Sequence, residues 1–182
     1  MKVLDTPLNG VKIIEPKVFG DHRGFFLETW NQNSFDEAGL PLRFVQDNHS
    51  RSAKGILRGL HYQLIKPQGK LVRVVLGTVY DVAVDMRRSS STFGQSFGVE
   101  LSADNHRMLW VPAGFAHGFL VLSESADFVY KCTDFYTPEH ERSLLWNDPA
   151  LKIQWPLLAG QTPVLAAKDA AGKLLADADT YA

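Results

Sequence analysis

A chain of 182 residues, 45% hydrophobic and 11% aromatic, has enough apolar side chain to bury a sizeable core within the length of one domain. Its net charge of −1 gives no bulk basic field, which argues against nucleic acid as a partner. The single cysteine, Cys132, excludes an internal disulfide framework. With no leader-like start and no apolar run of about 18 residues, these features predict a cytoplasmic protein that does not enter a membrane.

Short apolar runs punctuated by Gly, Pro, Asn, Asp or Ser predict strands in chain order. The first are Val11 to Glu15, Gly24 to Trp30, Phe44 to His49, Ile56 to Gln63 and Lys70 to Leu76. Thr78 to Asp85, Ser96 to Leu101, Arg107 to Val111, Gly118 to Leu122 and Ala126 to Tyr136 follow. One short helix is expected at Ser34 to Ala38, with Ser34 as N-cap and Glu37 completing a capping box. So many strands at this spacing imply an antiparallel sandwich or barrel. The segment from Pro163 is less patterned and is expected to wrap the outside, so that residues 1–182 form one domain.

Period-two phasing then places side chains. Phe128, Tyr130, Cys132 and Asp134 share a face, and a small, commonly buried Cys turns that face inward. His61 shares its face with Leu57, Gly59 and Gln63, whereas regular pleating sends Arg58 to the other side. Gly59 is where a bulge could rotate the two back together.

The run FVQDNHSRSAKGILRGLHYQ (Phe44 to Gln63) is unusually rich in titratable and hydrogen-bonding groups for a strand region. Half-buried strands need polar partners for such groups, and a charged ligand pocket would supply them. Gly55 lies six residues before His61, and Pro112 to His117 reads PxGxxH. These resemble the two half-motifs of the cupin barrel, whose metal-binding members use His and Glu ligands. Here Gln63 and Gln68 occupy two of the ligand positions, and neutral amides are poor ligands for a divalent transition metal. No metal is expected, and His61 and His117 become acid–base or hydrogen-bonding groups.

The chain further resembles the dTDP-4-dehydrorhamnose 3,5-epimerase family. The resemblance rests on FGDHRGFFLETW (Phe19 to Trp30), QDNHSRSAKGILRGLHYQ (Gln46 to Gln63), QGKLVRVVLGTVYDVAVDMR (Gln68 to Arg87), VPAGFAHGF (Val111 to Phe119), YKCTDFYTPEHE (Tyr130 to Glu141) and WNDP (Trp146 to Pro149). It implies an all-β, cupin-type double-stranded β-helix (a jelly-roll barrel) with short peripheral helices, and an isomerase that inverts C3 and C5 of a nucleotide-linked 4-ketosugar. The ketone acidifies both C–H bonds, so no cofactor is implied; a base, a proton donor and charge for the enolate oxygen suffice.

By resemblance, His61 is the base, Asp169 its partner, Tyr130 the proton donor and Lys70 the group at the C4 oxygen. Arg58 and His117 resemble groups that bind the sugar and diphosphate, and Gln46, Asp47 and Asn48 resemble nucleotide-binding residues. Arg23 and Glu28 are expected to reach across the interface of a homodimer, and Glu141 and Lys168 complete the binding set. A relative acting at one carbon, a sugar ketoisomerase, a metal-dependent cupin oxygenase and a non-catalytic sugar-binding cupin remain alternatives at this point.

Overall fold

The computed structural model describes residues 1–158 and 160–182. Its strands are Lys2–Asp5 (β1), Lys12–Glu15 (β2), Val18–Asp21 (β3), Gly24–Leu27 (β4), Gln46–Ala53 (β5), Leu57–Gln63 (β6) and Lys70–Leu76 (β7). Thr78–Asp85 (β8), Ser96–Ser102 (β9), Met108–Val111 (β10), Phe115–Val121 (β11), Ser125–Cys132 (β12) and Glu141–Ser143 (β13) complete them. A six-stranded sheet in the order β1-β2-β10-β7-β12-β5 packs against a five-stranded sheet in the order β13-β6-β11-β8-β9. Every ladder is antiparallel, and the crossing of the chain between the sheets makes a jelly roll of the cupin type.

The alternation read in the sequence becomes the core. Val72 and Val74 from β7, Phe119 and Val121 from β11, and Ala126 and Phe128 from β12 meet between the sheets, each almost fully buried. Phe119 and Phe128 stack with centroids 4.1 Å apart at 18°, and the Phe128 ring also approaches His117 and Tyr130. Full burial of a ring of this size stabilises by roughly 1.5–3 kcal/mol. That packing holds the strands that carry both polar side chains.

Several boundaries differ from the sequence reading. The helix, Gln32–Glu37 (α1), is capped by Asn31 and not Ser34: Asn31 Oδ1 accepts from the backbone N–H of Asn33 and Ser34. An Asn oxygen in extended backbone meets the orphan N–H groups of the first turn, which leaves Ser34 inside the helix. The strand expected to run to Tyr136 ends at Cys132, because β5 pairs with it only to that residue. The edge strands β1, β3 and β13 have no counterpart in the sequence reading. All three are only three or four residues long, too short for a periodic signal.

The bulge at Gly59 is present. On the ladder between β6 and β11, His117 faces His61 and Phe119 faces Arg58, so β6 spends one more residue than β11 over the same span. Gly59 has φ +113°, and a Cβ there would lie 2.6 Å from the His117 carbonyl oxygen and 2.7 Å from Gly118 Cα. The extra residue brings Arg58 and His61 to one cavity. Gly59→Ala is expected to destabilise by more than about 1 kcal/mol. Thermal unfolding should show this as a fall in Tm of at least about 2 °C.

Beyond β13 the chain straps across the five-stranded sheet. Val164 N–H donates to the Gly55 carbonyl at 2.8 Å, and the Val164 carbonyl accepts from Leu57 N–H at 3.0 Å. Lys173 and Ser143, Leu175 and Asp148, and Tyr181 and Met86 make further hydrogen bonds to the barrel. A short helix, Ala167–Ala170 (α2), sits in this strap and carries Asp169. Among the described residues, no helix is long and apolar enough to cross a membrane.

Candidate active site

A cavity of about 550 Å³ opens between the sheets. Its floor and walls come from β5, β6, β7, β11 and β12, and the strap with α2 closes one side. On β6, His61 Nε2 lies 2.5 Å from Asp169 Oδ1, a contact across 108 positions of chain. Asp169 is 2% exposed, so its charge is shielded from water and directed at the imidazole. His61 is partly buried and lines the cavity.

Directly opposite in register is His117 on β11, 6% exposed. Its Nε2 lies 2.9 and 3.1 Å from the two carboxylate oxygens of Asp81 on β8, which is fully buried. The Nδ1 atoms of His61 and His117 have no partner among the described residues, nor do Lys70 Nζ and Tyr130 Oη. Thr137 Oγ1 is the one fully buried side-chain polar atom left unpartnered among those residues. The four other atoms are therefore accessible from the cavity that their residues line.

Two of these groups have shifted proton affinities. Burial pushes the Lys70 ammonium below the ordinary lysine range, opposed in part by Cys132, Glu141 and Asp81. Burial pushes the Tyr130 phenol above its ordinary value, with a further push from Cys132, so it stays protonated at neutral pH. Cys132 itself is buried and its thiol is pushed up by desolvation, which keeps it an unreactive packing group. One imidazole backed by a carboxylate, one protonated phenol and one unpaired ammonium around a single cavity form a set able to remove and return a proton beside a carbonyl.

A family model described as dTDP-4-dehydrorhamnose 3,5-epimerase matches residues 5–177. The chain is 61% identical over 182 residues to the Pseudomonas aeruginosa protein of that name, covering 100% of this chain and 99% of the relative. A crystal structure of the Legionella pneumophila dTDP-6-deoxy-D-glucose-3,5-epimerase, in complex with dTDP-4-keto-L-rhamnose, superposes with a TM-score of 0.93. The two are 56% identical, over 98% of this chain and 94% of that one. The Bacillus anthracis enzyme, solved with TDP and PPi bound, gives a TM-score of 0.91 at 46% identity, covering 95% of this chain and 98% of that one.

The chain belongs to the dTDP-4-dehydrorhamnose 3,5-epimerase family.

Of the residues expected from the 3,5-epimerase resemblance, the fold gathers ten around the cavity. Gln46 and Asn48 line it from β5, and Arg58, His61, Lys70, His117 and Tyr130 from the other inner strands. Glu141, Lys168 and Asp169 complete the ring from the strap side. Lys168 Nζ donates to Glu141 Oε2 at 2.8 Å, and Tyr136 Oη donates to the same oxygen at 3.2 Å. These contacts tie α2, and with it Asp169, to the rim. Arg58 Nε donates to Ser52 Oγ at 2.8 Å, which fixes the root of the guanidinium while much of it stays exposed.

Three expected residues lie elsewhere. Alternation along β5 turns Asp47 to the outer face, where it pairs with Lys131 at 3.0 Å beside a second cavity of about 350 Å³. Contiguity in QDN therefore does not place all three side chains on one face. Arg23 sits at the tip of the β3–β4 hairpin and pairs with Asp21, and Glu28 accepts from Asn31 and Ser34 at the start of α1. The two amides at the cupin ligand positions clamp loops: Gln63 Nε2 donates to the Lys66 carbonyl and Gln68 Nε2 to the Asp134 carbonyl, each at 2.8 Å.

Asp81 is the site residue that the sequence reading missed. Its signal is two acidic residues, Asp81 and Asp85, on the same face of the otherwise apolar strand TVYDVAVD. Carboxylates at buried strand positions need a partner, and that requirement points to a second polar group across the ladder.

Proposed function

We propose that this chain converts dTDP-4-dehydro-6-deoxy-D-glucose to dTDP-4-dehydro-L-rhamnose by inverting C3 and C5, without a cofactor. The observation that carries the reading is the His61–Asp169 pair facing the same cavity as Lys70 and Tyr130. His61 uses its open Nδ1 to take the proton from a carbon beside the C4 ketone. Asp169 holds the opposite nitrogen and stabilises the imidazolium that forms, as carboxylates do in other His–carboxylate pairs. Lys70 meets the negative charge that grows on the C4 oxygen. Tyr130 returns a proton from the other face of the ring, which inverts the carbon; once His61 has released its proton to solvent and Tyr130 has regained one, the same groups act at the second carbon.

Arg58, with its fork-shaped guanidinium, suits the diphosphate, and Gln46, Asn48, Glu141 and Lys168 bind the rest of the nucleotide sugar. The acting unit is a homodimer of one-domain, cytoplasmic chains. Support for the dimer comes from the β3–β4 hairpin, where Phe19, Phe25 and Phe26 are 53%, 63% and 70% exposed. In the dimer, Arg23 and Glu28 reach the neighbouring site and Asp47 lies at the nucleotide end.

Incubation with dTDP-4-dehydro-6-deoxy-D-glucose in heavy water with chelator, followed by NMR, tests the reading. Deuterium at C3 and C5 with inverted configuration is expected. Label at one carbon would make this a single-site relative, and no label at either would overturn the assignment.

A further inference from the structure

Two histidine–carboxylate pairs face one cavity, and the reaction proposed above uses only the first. The second is the more deeply buried. Asp81 is 0% exposed, and His117 is the only side chain among the described residues that bonds to it. A carboxylate so placed is costly unless it is paired and hydrogen-bonded. Both of its oxygens lie within hydrogen-bond reach of the same ring nitrogen, which turns the other nitrogen, Nδ1, towards the cavity. A neutral imidazole could offer only a lone pair there. The ring donates through both nitrogens when it carries the positive charge that neutralises Asp81.

The position of His117 limits what it can touch. It stands opposite His61 in register on the neighbouring strand, so the two rings begin about 5 Å apart. A sugar with a reacting carbon at His61 therefore lies against His117. Lys70 lines the same cavity, and the charge of Asp81 acts on it as well.

We propose that Asp81 is a positioning residue: by accepting from Nε2 it holds His117 as a charged donor whose Nδ1–H, together with Lys70, binds the oxygen that gains charge when a C–H bond beside the ketone breaks. This rests on the epimerase reading above. Asp81 from β8 bonds His117, and the other charged and titratable groups on the shared cavity are His61 and Arg58 from β6, Lys70 from β7, Tyr130 from β12, Glu141 from β13, Lys168 and Asp169 from α2, and Tyr136.

The test is a double-mutant cycle of Asp81→Asn and His117→Asn, with kcat and KM measured across pH on the 4-ketosugar nucleotide. Asp81→Asn should lower kcat by about tenfold or more, the scale of one hydrogen bond to a charged group, with little change in KM. Because the Asp81 charge also supports the Lys70 ammonium against burial, its loss should move the alkaline limb of the kcat profile to lower pH. The same substitution should cost little further in the His117→Asn background. A limb that stays in place, a loss confined to KM, or losses that multiply would each overturn the proposal.

A second readout stands even where Asp81→Asn does not fold. In the wild-type protein with nitrogen-15-labelled histidine, the His117 signals, identified by their absence from the His117→Asn spectrum, should show both ring nitrogens protonated at neutral pH. A bare Nδ1 would sink the idea. Wild-type protein that exchanges neither C3 nor C5 would instead remove the epimerase reading, and the labelled spectrum would still report on the pair.

Discussion

His61→Asn is expected to lower solvent exchange at both C3 and C5 by roughly 10²- to 10⁴-fold, the range that a positioned general base contributes. Asparagine is the informative replacement. His61→Ala should be equally inactive, but it leaves Asp169, 2% exposed, without its partner. An unsatisfied buried acceptor costs about 1–3 kcal/mol, so loss of activity there would be mixed with loss of stability. The Asn amide can still donate to Asp169 and keep α2 docked. Proton exchange read by NMR, beside a thermal melt of the same sample, separates the two effects. Turnover near the wild-type rate in a folded His61→Asn protein would rule out His61 as the base.

Tyr130→Phe should divide the reaction instead of stopping it. The hydroxyl has no partner among the described residues, so its removal leaves stability within about 0.5 kcal/mol of wild type. Abstraction by His61 should persist, visible as deuterium entering the substrate with its configuration retained. Inversion should slow by roughly 10²- to 10⁴-fold, because the acid on the opposite face is gone. Burial raises the phenol above its ordinary value of about 10, so the donor stays protonated throughout the neutral range. A decline in activity just above neutrality would therefore belong to another group. Inversion at the wild-type rate would remove Tyr130 as the donor.

Legibility in the sequence followed the length and isolation of each signal. Lys70–Leu76 and Thr78–Asp85 match their expected limits, because each is a long apolar run with a glycine, Gly69 or Gly77, immediately before it. The inward phase of Phe128, Tyr130 and Cys132, and the bulge at Gly59, followed from the two-residue period and from one glycine inside a strand. Short edge strands were not legible, since their hydrogen bonds depend on partners far away in the chain. The same limit applied to the dyads. Spacing singled out His61 and His117, but nothing local ties His61 to a carboxylate 108 positions on, and that pairing came only through the family resemblance. Asp81 was hidden for a related reason: its partner is 36 positions away and on another strand. Asp47 shows how the pleat divides a contiguous motif: Gln46 and Asn48 line the cavity, while Asp47 pairs with Lys131 on the other face.

The late position of Asp169 bears on when activity can arise during synthesis. A chain emerges from the ribosome N-terminus first, and the paired inner strands are all made by residue 132. The carboxylate that steadies His61 is made 37 positions or so after them and docks through the strap. A nascent chain halted before residue 169 has its barrel strands but not the His61–Asp169 pair, and by the proposed mechanism it should not turn nucleotide sugar over. Under the mechanism proposed above, catalytic competence waits until the strap has been made and has docked, although the strands that shape the cavity precede it.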